Sequence, residues 1–201
     1  MISNDILIYA AHTAFWAAFG ITRLLTRGGA DAPKEPLAGE AVAKQEETGR
    51  FSRTVLAVHM VAFGVMYYGI GTAVFPGLVP HWFAGQRIAG TAVIALGAIL
   101  MSWAVASFHS WRFRAKLDPG HQLTTAGPFG FIRHPIYMGM NLLALGTAIW
   151  IPDVADWIGF VLMVIGSDLR ARSEERLLVR AMGATYTDYC ARTRRFIPGL
   201  Y

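Results

Sequence analysis

Between residues 136 and 169 the chain reads IYMGMNLLALGTAIWI, then PD, then VADWIGFVLMVIGSDL. Two apolar stretches, Ile136–Ile151 and Val154–Leu169, are thus separated only by Pro152 and Asp153. A membrane-spanning helix needs roughly 20 apolar residues, so each stretch is short as a lone span. Their tight connection predicts a helical hairpin that enters the membrane and returns; the competing reading is a re-entrant loop. Three longer stretches precede the pair: Ile6–Leu25, Val55–Val74 and Ile88–Phe108, the last without a charge. The fold class expected is therefore an all-α integral membrane protein. It has about five transmembrane helices, the last two a tight hairpin, and then a cytoplasmic helical C-terminal extension.

Composition agrees with this class. Of 201 residues 54% are hydrophobic and 15% charged, against about 25% charged in an ordinary soluble domain. The single cysteine, Cys190, excludes an internal disulfide framework and a Cys-rich metal site. The first stretch is too long, and too poor in preceding positive charge, to read as a cleavable signal.

The net charge of +5 suggests nucleic acid only until the basic residues are sorted by loop. None precedes Ile6 or separates the last two stretches. Only Arg87 lies between the second and third. With five crossings and the N-terminus outside, 17 of the 18 Lys and Arg fall on the cytoplasmic side, as the positive-inside rule requires. The expectation is a multi-pass protein (of the inner membrane, if the source is bacterial) with its C-terminus in the cytoplasm and no nucleic-acid partner. Residues 1–108 form the N-terminal helices with a polar linker at 26–53, read as mobile with one short helix. Residues 109–201 carry the chemistry.

Two cytoplasmic segments are chemically dense. His121–Tyr137 reads HQLTTAGPFGFIRHPIY. Gly127-Pro128 and Gly130 favour a tight turn, and Phe129, Phe131 and Tyr137 offer aromatic faces. Pro135 suits the first turn of a helix with His134 at its cap, so open N–H groups would face this loop. Taken alone, the segment could equally be an interfacial anchor with an aromatic belt. The second segment, Asp168–Arg176, follows the last span without a breaker. Its helix is expected to run to Gly183, with Arg170 and Glu174 on one face; taken alone, it could be an exposed helix with weak ion pairs. The hairpin makes these segments neighbours, and a pocket with aromatic walls, one cation and one carboxylate could hold a cofactor.

Here the residues carry a resemblance. The ordered pattern His121-x-Leu123-x-Thr125-x-Gly127-Pro128-Phe129-x-Phe131-x-Arg133-His134-Pro135-x-Tyr137-x-Gly139, then Arg170-x-x-x-Glu174-Glu175, Gly183-x-x-Tyr186-x-x-Tyr189 and Arg195-Phe196-Ile197-Pro198 resembles the isoprenylcysteine carboxyl methyltransferase family of integral membrane enzymes. It spans about residues 109–201. The resemblance implies S-adenosyl-L-methionine as methyl donor, with His121, Gln122, Leu123, Thr124, Phe129, His134, Pro135, Ile136, Tyr137 and Glu174 lining it. Arg170 is implied as the catalytic residue facing a lipophilic or small-molecule methyl acceptor. Phe129 and Phe131 stand where the family often has Tyr, which leaves acceptor choice open among prenylcysteine carboxylates, small thiols and phospholipid amines. No metal is expected, because His121 and His134 have no third ligand.

His12, His59 and His109 lie in or beside the first three spans, and intramembrane ionisable residues are functional candidates by default. Facing histidines could ligate haem, which makes an electron carrier the rival from another class. Further alternatives are a nicotinamide-dependent sterol-reductase-like enzyme and a protein that has lost turnover.

Overall fold

The computed structural model describes residues 4–26, 39–107 and 123–201, with side chains over 5–26, 56–107 and 123–201. Its α-helices are α1 (Leu7–Leu25), α2 (Gly39–Val74), α3 (Gln86–Ser107), α4 (Pro135–Trp150), α5 (Val154–Met182) and α6 (Ala184–Arg192). Among the described residues there is no strand, only one isolated parallel bridge between Ile132 and Arg194. Two segments among the described residues, Leu56–Val74 and Gln86–Ser107, are long and apolar enough by length and composition to cross a membrane. His109, His121 and Gln122 lie outside the described residues.

The linker expectation is narrowed. Gly39 already begins α2, so much of 26–53 belongs to one long helix rather than to a separate short one. Ala41, Ala43, Lys44, Gln45, Glu46 and Glu47 are strong helix formers, and no proline interrupts them before the apolar part begins.

Helices α4 and α5 are joined by Ile151, Pro152 and Asp153. Asp153 caps α5, its side chain accepting the Ala155 N–H at 2.8 Å. The helix then runs without interruption past Leu169 and through Arg170–Glu175. It stops at Gly183, whose φ of 55° and ψ of −126° lie outside the αL cap geometry but in a region that glycine enters freely. Helix α3 packs mainly on α4, α2 on α5, and α1 on α3. The core between them holds Phe15, Met66, Ile70, Met101, Leu143 and Met163, all essentially inaccessible.

Glycine permits the closest of these contacts. A Cβ on Gly90 would lie 2.6 Å from the Gly146 carbonyl oxygen, and one on Gly97 would lie 2.7 Å from that of Gly139. The reverse distances, from Gly146 and Gly139, are 2.7 and 2.9 Å. Two opposed glycine pairs, seven residues apart on each helix, therefore let α3 and α4 touch backbone to backbone, as small residues do between membrane helices.

Buried polar groups tie the helices laterally. Asp5 accepts a forked pair of bonds from Arg87, at 2.5 and 2.9 Å. Thr147 donates to the Leu143 carbonyl, so it accepts from His12 Nε2 at 2.9 Å, leaving His12 Nδ1 to accept from Tyr67 at 3.1 Å. Outward faces are apolar: Leu24, Ile88, Ile99 and Ile165 are all exposed. In water such surface would be an association hazard; against lipid it costs nothing.

Candidate functional site

The site grows from the turn that begins α4. Gly127, at φ 59°, opens a 3-10 turn through Gly130, and a Cβ there would meet Ser107 Oγ at 2.3 Å. Both backbone freedom and space therefore require glycine at this position. The chain next passes Phe131–Arg133 and enters α4 at Pro135, which has no N–H to leave unsatisfied.

The tail closes against this turn. Arg133 N–H donates to the Arg194 carbonyl at 2.7 Å, and His134 N–H to that of Arg195 at 3.1 Å. The N–H groups expected to be open before the helix are thus taken up by the tail. Those of Ile136 and Tyr137, in the first turn, have no helical carbonyl four residues back.

A buried charge cluster fixes the same junction. Arg133 Nε donates to Glu175 Oε1 at 2.7 Å, and its Nη1 to the Thr193 carbonyl at 2.6 Å. Arg195 Nη2 reaches Glu175 Oε2 at 2.7 Å, and His134 Nε2 lies 3.3 Å from Oε1. Burial disfavours the Glu175 charge, but hydrogen bonds from His134, Arg195 and Arg133 outweigh it and hold the carboxyl well below its usual range. The cluster is one carboxylate shared by two guanidinium groups and an imidazole. It clamps three segments together: the turn at 131–134, α5 and the tail.

Beside this clamp lies a cleft lined by Leu123, Thr124, Phe129, Arg133, His134, Pro135, Ile136, Tyr137, Glu174, Leu178, Tyr186 and Tyr189. Every described residue that the resemblance assigned to a cofactor is in this wall. Glu174 Oε1 accepts from the Tyr137 hydroxyl and, at 3.2 Å, from Arg170 Nε. Both bonds fall on one oxygen; His134 Nδ1 lies 3.8 Å from the other. The His134 and Tyr137 rings stack, 5.5 Å apart and 8° from parallel, and the Arg170 guanidinium sits 5.4 Å from the Tyr137 centroid. Arg170 is therefore joined to the cleft through Tyr137 and Glu174 without lining it. Despite burial, its charge is favoured by Tyr137 and Glu174.

Arg133, Leu178, Tyr186 and Tyr189 are wall residues that the sequence reading did not assign to the cofactor. Tyr189 donates to the Phe129 carbonyl at 2.7 Å. Burial pushes its hydroxyl up to about 12, and that of Tyr186 higher still, so both stay protonated at neutral pH. The signal that could have found them was the Tyr186-x-x-Tyr189 spacing, which puts both rings on one face of α6. The haem alternative fares poorly at His12, whose two ring nitrogens are both occupied by hydroxyl partners.

Comparison with known proteins points the same way. The family model described as phospholipid methyltransferase matches residues 86–185. Protein-S-isoprenylcysteine O-methyltransferase B of Arabidopsis thaliana is 28% identical over 138 residues, 67% of this chain and 69% of that protein. A probable protein-S-isoprenylcysteine O-methyltransferase of Oryza sativa subsp. indica is 23% identical over 69% of this chain and 73% of its own. The protein-S-isoprenylcysteine O-methyltransferase of Schizosaccharomyces pombe is 29% identical over 60% of this chain and 53% of its own. Motif order, cleft and relatives together make the chain similar to the isoprenylcysteine carboxyl methyltransferases, and support a methyltransferase of that type.

Proposed function

We propose that this protein uses S-adenosyl-L-methionine to methylate a lipophilic acceptor presented from the membrane, a prenylcysteine carboxylate or a group of that kind. The observation that carries the reading is the single cleft in which Glu174, His134, Tyr137 and apolar walls meet beside the first turn of α4. Its chemistry fits the donor. The Glu174 oxygen not engaged by Tyr137 and Arg170 is suited to a ribose diol. The stacked His134–Tyr137 pair and Phe129 give an aromatic wall for a sulfonium. Leu123, Ile136 and Leu178 suit a purine, and the first-turn N–H groups of Ile136 and Tyr137 suit a carboxylate.

When bound, the donor supplies an electrophilic methyl on an already activated leaving group. The protein's task is then alignment and exclusion of water. Tyr137 and Glu174 hold the donor side, and Arg170, behind them, orients an anionic acceptor. The acceptor oxygen bonds to the methyl carbon as the carbon–sulfur bond breaks, so a carboxylate acceptor has no proton to lose. A thiol or amine would need one removed, which makes the carboxylate the simpler partner for this site.

The same reading takes α1–α5 as five crossings with the α4–α5 pair as a membrane hairpin, the N-terminus outside and the cleft on the cytoplasmic side. Charge distribution and the exposed apolar faces of α1, α3 and α5 support it.

Calorimetry on the purified protein should give saturable donor binding, weakened about tenfold by Glu174→Ala and by His134→Ala. Arg170→Ala should leave donor affinity within about threefold and lower turnover about 100-fold, the mark of an interaction used in the reaction rather than in donor binding. Labelled donor offered with prenylcysteine analogues, small thiols and phospholipids identifies the acceptor. Absence of saturable donor binding at millimolar concentration would falsify the methyltransferase mechanism.

A further inference from the structure

None of the residues lining the cleft comes from α2, yet that helix delivers one buried polar side chain to the cleft's edge. His59, 3% exposed, places its ring 6.2 Å from that of Tyr137. Its Nε2 lies 3.4 Å from Ser167 Oγ on α5, and Ser167 in turn donates to Asn141 Oδ1 on α4 at 2.8 Å. A serine hydroxyl has one proton. Since that proton goes to Asn141, Ser167 can only accept from His59, which fixes the histidine's tautomer with its proton on Nε2. The ring is also sterically set: a Cβ on Gly166 would lie 3.1 Å from both Nδ1 and Cε1, so glycine at 166 makes room for it. Three helices thus spend a histidine, a serine, an asparagine and a glycine, all inside apolar segments, on holding one imidazole against Tyr137.

Resting on the methyl-transfer reading above, we propose that His59 is a positioning residue of this site. Seated by Ser167 and Asn141, it fixes the Tyr137 ring, and through Tyr137 the geometry of Glu174 toward the donor. The contact ties the seat of α2 to donor affinity. It gives the buried polar chain a purpose beyond its own hydrogen bonds, in keeping with the cost of polar groups at such depth.

The test is a double-mutant cycle read as donor affinity by calorimetry with S-adenosyl-L-methionine, needing no acceptor. His59→Ala should weaken binding about fivefold, and Ser167→Ala about threefold in the same direction. His59→Gln, which keeps an N–H at the reach of Nε2, should restore most of the affinity. In a Tyr137→Leu background His59→Ala should add almost nothing, since its effect passes through that ring. A merely structural histidine would lower the melting temperature but leave the affinity of the folded protein unchanged, or its effect would multiply with that of Tyr137→Leu; either result overturns the proposal. These failures differ from failure of the underlying reading, in which the wild-type protein itself does not bind the donor.

Discussion

At the scale of single residues the site is built on two adjacent carboxylates with opposite duties. Glu174 faces the cleft with one oxygen bound by Tyr137 and Arg170. Glu175 turns away and is saturated by Arg133, His134 and Arg195. The Glu-Glu pair and its spacing from Arg170 were legible in the sequence, but this division was not. Adjacent helical residues point about 100° apart, and which one meets the guanidinium groups depends on the tail's path from residue 193 onward. A pH prediction follows from Glu175. Its folded carboxyl is held below the ordinary value, so its stabilisation is complete above about pH 5 and is lost progressively as pH falls below about 4.3, the unfolded value, toward the much lower folded one. Glu175→Gln should cost on the order of 2 kcal/mol near neutrality, because part-buried Arg133 loses its carboxylate and Arg195 keeps only Asp168. Melting curves should show the gap between wild type and variant narrowing as pH drops below 4; a constant gap would mean that the carboxylate charge is not what stabilises the clamp.

At the scale of elements, helix ends were easier to read than helix contacts. Pro135 and Gly183 each announced a boundary through a local rule of helix entry or backbone freedom, and the helices begin and end there. The α3–α4 seam had no such local rule. Gly90, Gly97, Gly139 and Gly146 are scattered among many small residues, and only the antiparallel register brings 90 opposite 146 and 97 opposite 139. The start of α2 was hard to read for the converse reason, since its charged residues look like a linker although Lys44, Gln45, Glu46 and Glu47 favour a helix. A methyl group at the seam has to displace backbone, which cannot rotate aside as a side chain can. Gly97→Ala and Gly146→Ala should therefore each destabilise the protein by about 1–3 kcal/mol. Gly20→Ala, where a Cβ meets nothing within 4 Å, should be neutral or slightly stabilising. Thermal unfolding of the three variants in one detergent makes the comparison, and equal melting temperatures would show that the seam has slack.

At the scale of the whole molecule, the five-crossing reading puts the α2–α3 connection and α6 on opposite sides of the bilayer. Both carry exposed positions suited to labelling, Ala84 and Thr185. In a Cys190→Ser background, Ala84→Cys should react with a membrane-impermeant maleimide on intact cells, and Thr185→Cys only after permeabilisation. Labelling of both from one side would remove a crossing. The tail adds a consequence in time. Residues 194 and 195 seat residues 131–134 from more than sixty positions downstream, after α4, α5 and α6 have been made. A nascent chain can therefore have inserted every apolar helix and still lack the pairing that holds His134 in place. Synthesis itself sets the order, in which insertion comes first and competence last. On the five-crossing reading, a product interrupted before residue 194 should be inert rather than half-working.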